Sequence, residues 1–133
     1  MNFSETLPYS GMGTIALIAH DGKKDEMQVF AHTHRDALKA WNLIGTGTTA
    51  RILSEHVGLP VRGVLSGPLG GDVQIAAEVL AGQVRAVIFF VEPMDVHPHD
   101  PDIQTLQRIC NITNTPIATN PATAELLIRA LAV

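Results

Sequence analysis

Five short apolar runs alternate with longer segments of helical periodicity, and this alternation limits the folds open to the chain. The runs are short and largely free of polar residues, as expected of strands buried on both faces of a parallel sheet. The run Ala86–Val91 has the strongest strand pattern, and we expect it to be the central strand. The predicted strands occupy residues 14–19, 42–45, 61–65, 86–91 and 116–119.

The segments between these runs predict helices, because apolar side chains recur in them at near-helical spacing. Strands that alternate with helices imply right-handed crossovers and helices on both faces of a parallel sheet. We therefore predict the α/β class: a single-domain three-layer α/β/α sandwich with a doubly wound, five-stranded parallel sheet over residues 14–133. We expect residues 1–13 to be an N-terminal lead-in, either flexible or lying as a strap across a neighbouring surface. The expected helices are one continuous helix from after Gly22 to about Trp41, then 48–57 ended by Gly58, 72–82, one starting at Asp100 and Pro101, and 122–131.

Composition narrows the classes of function. A chain of 133 residues with 46% apolar residues supports one hydrophobic core. The nine Lys and Arg residues are scattered and the net charge is −4, so no basic patch indicates a nucleic-acid partner. No apolar stretch approaches the roughly 18 residues that span a bilayer, and we expect a cytoplasmic protein without a membrane partner. The single cysteine, Cys110, is expected to be a buried, inert thiol.

Polar clusters follow four of the apolar runs directly. These clusters are Ala19–Lys24, Gly45–Thr49, Val64–Asp72 and Glu92–Asp102. Because the carboxyl ends of parallel strands share one edge of a sheet, the clusters converge, and ligands of such folds bind at that edge. The turns at the opposite ends of the strands, such as 58–60 and 82–83, carry no comparable chemistry. The sequence therefore predicts one polar ligand site.

Two of these clusters have the features of a phosphate site. The glycine-rich loop before Asp72 lets backbone N–H groups approach a ligand, and a following helix start favours an anion. Asp72 is the first catalytic candidate. The segment Gly45–Thr49 adds N–H groups and three hydroxyls, although its threonines could instead cap a helix. Lys24 could supply a positive charge at the same edge, or be a solvated surface lysine.

Histidines and carboxylates complete the predicted site. His20 and Asp21 follow the first strand, where they could contact a substrate, although Asp21 with Gly22 is also a common turn and N-cap. Two imidazoles and two carboxylates fall within His97–Asp102. A metal hydrolase is one interpretation, but no third grouped histidine or cysteine completes a ligand set. The favoured interpretation is acid–base chemistry, in which a histidine polarises a carbonyl. We interpret the other histidines as helical and exposed or partly buried: His32, His34 and His56.

Taken together, these motifs resemble the methylglyoxal synthase family over about residues 14–128. The resemblance implies a lyase that converts dihydroxyacetone phosphate to methylglyoxal and inorganic phosphate through proton abstraction, an enediolate and phosphate elimination. It implies no metal and no organic cofactor, a homohexamer, and inorganic phosphate as product and inhibitor. The motifs that carry it are Ile15–Asp21 with Lys24, Gly45–Thr49, Leu65–Asp72, Ile88–Phe90 with Pro93, Pro98–Asp102, and Ile117–Asn120 with Ala122–Ala124.

The resemblance also assigns roles to single residues. Asp72 matches the catalytic base, His99 the contact to the enediolate oxygens, and Asp102 and Asp21 the supporting carboxylates. Glu92 departs from the family pattern, which usually has Asp there. The alternative function is a non-catalytic sensor domain of the same fold that binds a phosphorylated effector. The positions that match substrate and phosphate binding are His20, Lys24, Thr46, Gly47, Thr48, Thr49, Ser66, Gly67 and His99.

Overall fold

A computed structural model of the chain describes residues 13–94 and 100–132, and the strands in these ranges form one five-stranded parallel sheet. All but the last residue of the expected lead-in therefore lies outside the described residues. The predicted strands are confirmed to within two residues at each end. They are β1 (Thr14–Ala19), β2 (Asn42–Thr46), β3 (Val61–Val64), β4 (Val84–Phe90) and β5 (Ile117–Ala118).

The strand order is β3-β2-β1-β4-β5, so β1 is the middle strand. The chain first adds strands on one side of β1 and then crosses back to add β4 and β5 on the other. Ala16 of β1 is accordingly in register with Ile44 and with Val87. The expectation that β4 is central was wrong, although β4 is interior to the sheet. Both strands are buried on both faces, and a sequence run reports burial but not strand order.

The helices follow the predicted pattern with one exception. The segment after Gly22 was expected to be one helix, but it divides at His34, whose φ of −107° and ψ of 26° lie outside the helical region. Phe30 and Leu38 are buried on either side of the break, so hydrophobic spacing does not reveal it. The helices are α1 (Lys24–Thr33), α2 (Arg35–Lys39), α3 (Gly47–Ile52) with a π-helical turn at Leu53–Val57, α4 (Gly71–Leu80), α5 (Asp100–Thr113) and α6 (Pro121–Leu131).

The sheet has a hydrophobic cluster on each face, which confirms the three-layer prediction. Side chains alternate along β1, so Leu17 faces one cluster and Ile18 faces the other. The first cluster includes residues of α1, α2, the π-helical turn and α6, and the second includes residues of α4 and α5. The core side chains of these helices are Met27, Phe30, Leu38, Leu53, Val57 and Ile128 on the first face, and Ile75, Val79, Ile103, Leu106 and Cys110 on the second.

Cys110 is fully buried in α5, as predicted. Burial raises the pKa of its thiol to about 11. No helix within the described ranges is long and apolar enough to cross a membrane.

Candidate active site

The candidate residues His20, Asp21 and Lys24 follow the end of β1, which lies beside the end of β4. Between these two strands the chain reverses the direction in which it builds the sheet, and ligands of doubly wound folds bind at such a switch point. The backbone N–H of His20 donates to the carbonyl oxygen of Phe90, with an N···O distance of 3.1 Å. This hydrogen bond holds the two strand exits together.

His20 itself is buried at this position. The residue is 5% exposed, and its ring packs edge-on against Phe89 with 5.1 Å between ring centroids. Its Nδ1 atom accepts a hydrogen bond of 2.9 Å from the backbone N–H of Glu92. Contacts with the ring of Phe89 and with the backbone of Glu92 therefore fix the orientation of the imidazole.

Lys24 and Thr49 both form hydrogen bonds with the backbone of Ala19, the last residue of β1. Lys24 Nζ donates to the Ala19 carbonyl oxygen at 2.6 Å, and it also lies 3.2 Å from Oδ1 of Asp21. Thr49 Oγ1 accepts from the Ala19 N–H at 3.3 Å. Lys24 is therefore not a freely solvated lysine, since its side chain is 15% exposed. Both residues stabilise the end of the middle strand.

The segment 46–49 passes from β2 into α3 beside this contact. Thr46 and Thr49 are buried, whereas Gly47 and Thr48 are partly buried. The Gly47 N–H donates to the Leu65 carbonyl oxygen at 3.3 Å, which joins this turn to the end of β3. The alternative role of a threonine as a side-chain cap is wrong for Thr46, because the residue occupies the N-cap of α3 without a capping bond from its side chain.

The glycine-rich loop between β3 and α4 folds back on itself to start the helix. The Ser66 carbonyl oxygen accepts hydrogen bonds from the N–H groups of Leu69 and Gly71, and each N···O distance is 3.0 Å. A Cβ atom on Gly71 would lie 1.9 Å from the Leu65 carbonyl oxygen, so no larger residue fits there without a shift. Asp72 follows in the first turn of α4 and is 0% exposed.

The remaining predicted residues differ in their surroundings. Asp21 lies in a short 3-10 turn (Asp21–Lys23) and its side chain is 99% exposed. Ser66 and Gly67 are partly buried in the glycine-rich loop, and Asp102 is partly buried in the first turn of α5. His97 and His99 lie outside the described residues. In the described ranges no group of three or more His, Cys, Asp or Glu side chains could hold a metal ion.

Two features of this edge were not found from the sequence. The glycine before Asp72 was assigned to ligand approach, but the structure also gives Gly71 a close packing contact with Leu65. The main-chain hydrogen bond from Glu92 to His20 was not anticipated, because strand order decides which two loops are neighbours. The only sequence signal for this contact was Glu92 itself, which stands where the family usually has Asp.

Comparison with known proteins gives consistent matches. The family model described as MGS-like domain matches residues 26–119, which extend from α1 to β5. The methylglyoxal synthase of Carboxydothermus hydrogenoformans is 53% identical over 120 residues, covering 90% of this chain and 99% of the relative. The methylglyoxal synthase of Thermus thermophilus is 52% identical over 117 residues, covering 88% and 93%. The crystal structure of methylglyoxal synthase from Elizabethkingia anophelis matches with a TM-score of 0.84 and 43% identity, over 89% of this chain and 78% of that one.

Proposed function

The chain belongs to the methylglyoxal synthase family, and on this premise we propose that it is a lyase that converts dihydroxyacetone phosphate to methylglyoxal and inorganic phosphate. The observation that carries the proposal is Asp72, a carboxylate fully buried in the first turn of α4 at the carboxyl edge of the sheet. The first turn of a helix favours an anionic side chain. The alternative of a non-catalytic sensor domain is not favoured, because the relatives matched over most of the chain are methylglyoxal synthases.

In the proposed mechanism Asp72 is the general base. Its carboxylate takes a proton from the hydroxymethyl carbon of the substrate. The electron pair of that C–H bond forms the C=C bond of an enediolate, and the carbonyl π pair moves onto the carbonyl oxygen. After proton exchange between the two oxygens, the oxygen on the former hydroxymethyl carbon forms a C=O bond, and the C=C pair shifts toward the carbon that bears the phosphate. The C–O bond to phosphate breaks, and phosphate leaves with the bonding pair. The resulting enol gains a proton at carbon and becomes methylglyoxal. A positioned base contributes about 10² to 10⁴ in rate.

Further residues are assigned to the developing charge and to the substrate. We assign His99 to the oxygens of the enediolate, where a donor stabilises developing negative charge, and His20 to binding of the substrate. Asp21 and Asp102 are assigned as supporting carboxylates. We assign the remaining residues to the phosphate group, which they would hold in a fixed orientation and away from water. These are Lys24, Thr46, Gly47, Thr48, Thr49, Ser66 and Gly67, which lie at the adjoining ends of β1, β2 and β3.

The same family membership supports three further proposals. We propose that the active form is a homohexamer, that inorganic phosphate inhibits as well as being the product, and that the enzyme is cytoplasmic. The mechanism assigns no step to a metal or an organic cofactor. Size-exclusion chromatography with light scattering measures the first of these, and initial rates at increasing phosphate measure the second.

The decisive experiment is release of methylglyoxal from dihydroxyacetone phosphate by purified protein treated with a chelator. We expect turnover in the wild type and at least a 10²-fold loss of kcat in Asp72→Asn. Phosphate binding by the variant, measured by calorimetry, should remain, because the base does not hold the leaving group.

Asp36→Asn provides a matched control, since Asp36 also lies in a first helical turn but is exposed. It should keep wild-type turnover. Near wild-type turnover in Asp72→Asn would refute Asp72 as the base. A wild-type protein that binds a phosphorylated ligand tightly without turnover would instead support the sensor function, and activity lost on chelation would support a metal hydrolase.

A further inference from the structure

The turn that follows β4 determines which nitrogen of His20 carries the proton. A backbone N–H can only donate, so the hydrogen bond of 2.9 Å from Glu92 N requires a lone pair on His20 Nδ1. The proton of a neutral ring must then be on Nε2. A doubly protonated ring would place one N–H group against another at this distance. The contact therefore selects the neutral Nε2–H tautomer of His20.

The side chain of Glu92 holds that turn in place. Its Oε1 atom accepts a hydrogen bond of 2.9 Å from the backbone N–H of Met94. Its Oε2 atom lies 3.9 Å from Lys23 Nζ, and a Cβ atom on Gly22 would be only 3.4 Å from it. The carboxylate thus lies between the loop that follows β1 and the turn that follows β4, with 18% of the side chain exposed.

The length of this side chain is part of the arrangement. An aspartate would be one C–C bond shorter, about 1.5 Å. Its carboxylate could stay near its own turn, but it would move away from Gly22 and Lys23 by a distance of that order. Glutamate therefore reaches both loops where the shorter residue reaches one.

We propose that Glu92 is a positioning residue: its main chain fixes His20 as the neutral Nε2–H tautomer, and its carboxylate fixes that main chain by joining the two loops. A neutral imidazole with its proton on Nε2 can donate one hydrogen bond to a substrate oxygen. The opposite tautomer would present a lone pair to that oxygen and would repel it. The consequence for turnover rests on the proposed function, whereas the tautomer itself does not.

The tautomer is measured directly by ¹⁵N NMR of the histidine side chains in the ligand-free protein. The chain has six histidines, so loss of one signal set in His20→Gln assigns His20. We expect the Nε2–H form of His20 at pH 7. Detection of the Nδ1–H form or of the imidazolium as the main species would overturn the proposal.

Variants of Glu92 test the role of its side chain. Glu92→Gln keeps an acceptor for Met94 N–H, and we expect the tautomer and kcat to stay near wild type. Glu92→Ala and Glu92→Asp should populate both tautomers and lower kcat about tenfold, with KM changed less than about twofold. Wild-type spectra and kcat in both of these variants would refute the role of the carboxylate, even with the Nε2–H tautomer present.

Glu26→Ala is the matched control. Glu26 also lies near Lys23 Nζ, at 3.3 Å, but it is part of α1 and pairs with Lys23 at i,i+3 spacing. The variant should leave the His20 spectrum unchanged, and a change in that spectrum would assign the effect to Lys23 rather than to Glu92. If the wild type shows no turnover while the Nε2–H tautomer is observed, the proposed function fails and the tautomer assignment stands.

Discussion

Gly71 lies directly against the carbonyl oxygen of Leu65, where a Cβ atom would come within 1.9 Å. The oxygen belongs to the backbone that leaves β3, and it cannot move aside as the end of a flexible side chain could. It also accepts the hydrogen bond from Gly47 N–H. This close approach sets where α4 starts, and therefore where Asp72 is buried.

We expect Gly71→Ala to lower the free energy of unfolding by about 1–3 kcal/mol, the usual cost of overpacking. It should also lower kcat, because the added methyl group displaces the first turn of α4. Urea unfolding and the methylglyoxal assay measure the two effects. In the control Gly63→Ala the new Cβ meets Ala50 at an ordinary 3.5 Å. Equal effects from the two substitutions would contradict the steric argument.

Thr49→Val tests the buried hydrogen bond at the end of β1. Valine keeps the branched shape but removes the acceptor for Ala19 N–H. A buried N–H that loses its partner costs about 1–3 kcal/mol, so we expect a loss of stability of this size. Thr49→Ser keeps the hydroxyl and should lose less. If Val and Ser destabilise the protein equally, the hydrogen bond is not the cause.

Lys24→Gln should weaken the binding of inorganic phosphate about tenfold or more, since a hydrogen bond to a charged group is worth about 1.5–3 kcal/mol. Calorimetric titration with phosphate measures this change. Lys39→Gln removes the same charge from the exposed end of α2, away from the site, and should leave the affinity unaltered. Unchanged affinity in Lys24→Gln would remove Lys24 from the phosphate site.

Glu125 gives the protein a defined response to acid. The hydrogen bond from His34, followed by contacts with Arg129, lowers the pKa of Glu125 from its ordinary 4.5. The ionised form therefore stabilises the fold fully above pH 4.5, and this contribution is lost as the pH falls through the lowered value. Glu125→Gln should destabilise the protein more at pH 6 than at pH 3 in urea unfolding. Equal destabilisation by Glu125→Gln at the two pH values would contradict this role of the ionised carboxylate.

Cys110 should react slowly with thiol reagents in the native protein. Its pKa of about 11, against an ordinary 9.0, reduces the thiolate fraction about a hundredfold at pH 8. Reaction with a chromogenic disulfide in buffer and in denaturant measures the ratio of rates. Equal rates in the two conditions would show that the thiol is accessible.

The sequence by itself determined the class of fold and the edge of the sheet where the candidate site residues lie. Apolar runs such as Thr14–Ala19 and Ala86–Val91 identify strands because burial on both faces requires such a composition. Asp72 and Lys24 could be placed at one edge because all carboxyl ends of a parallel sheet share it. The family resemblance, stated from the same motifs, is confirmed by the comparisons.

The tertiary structure decided the relationships that local pattern does not encode. Strand order put β1 in the middle and brought the exits of β1 and β4 together, which produced the hydrogen bond from Glu92 to His20. The break at His34 depends on its backbone angles, and the contact of Gly71 with Leu65 depends on how the glycine-rich loop folds back on itself. Hydrophobic periodicity records only which side of an element is buried, so the partners across the sheet and the atoms they offer appear only once the chain is folded.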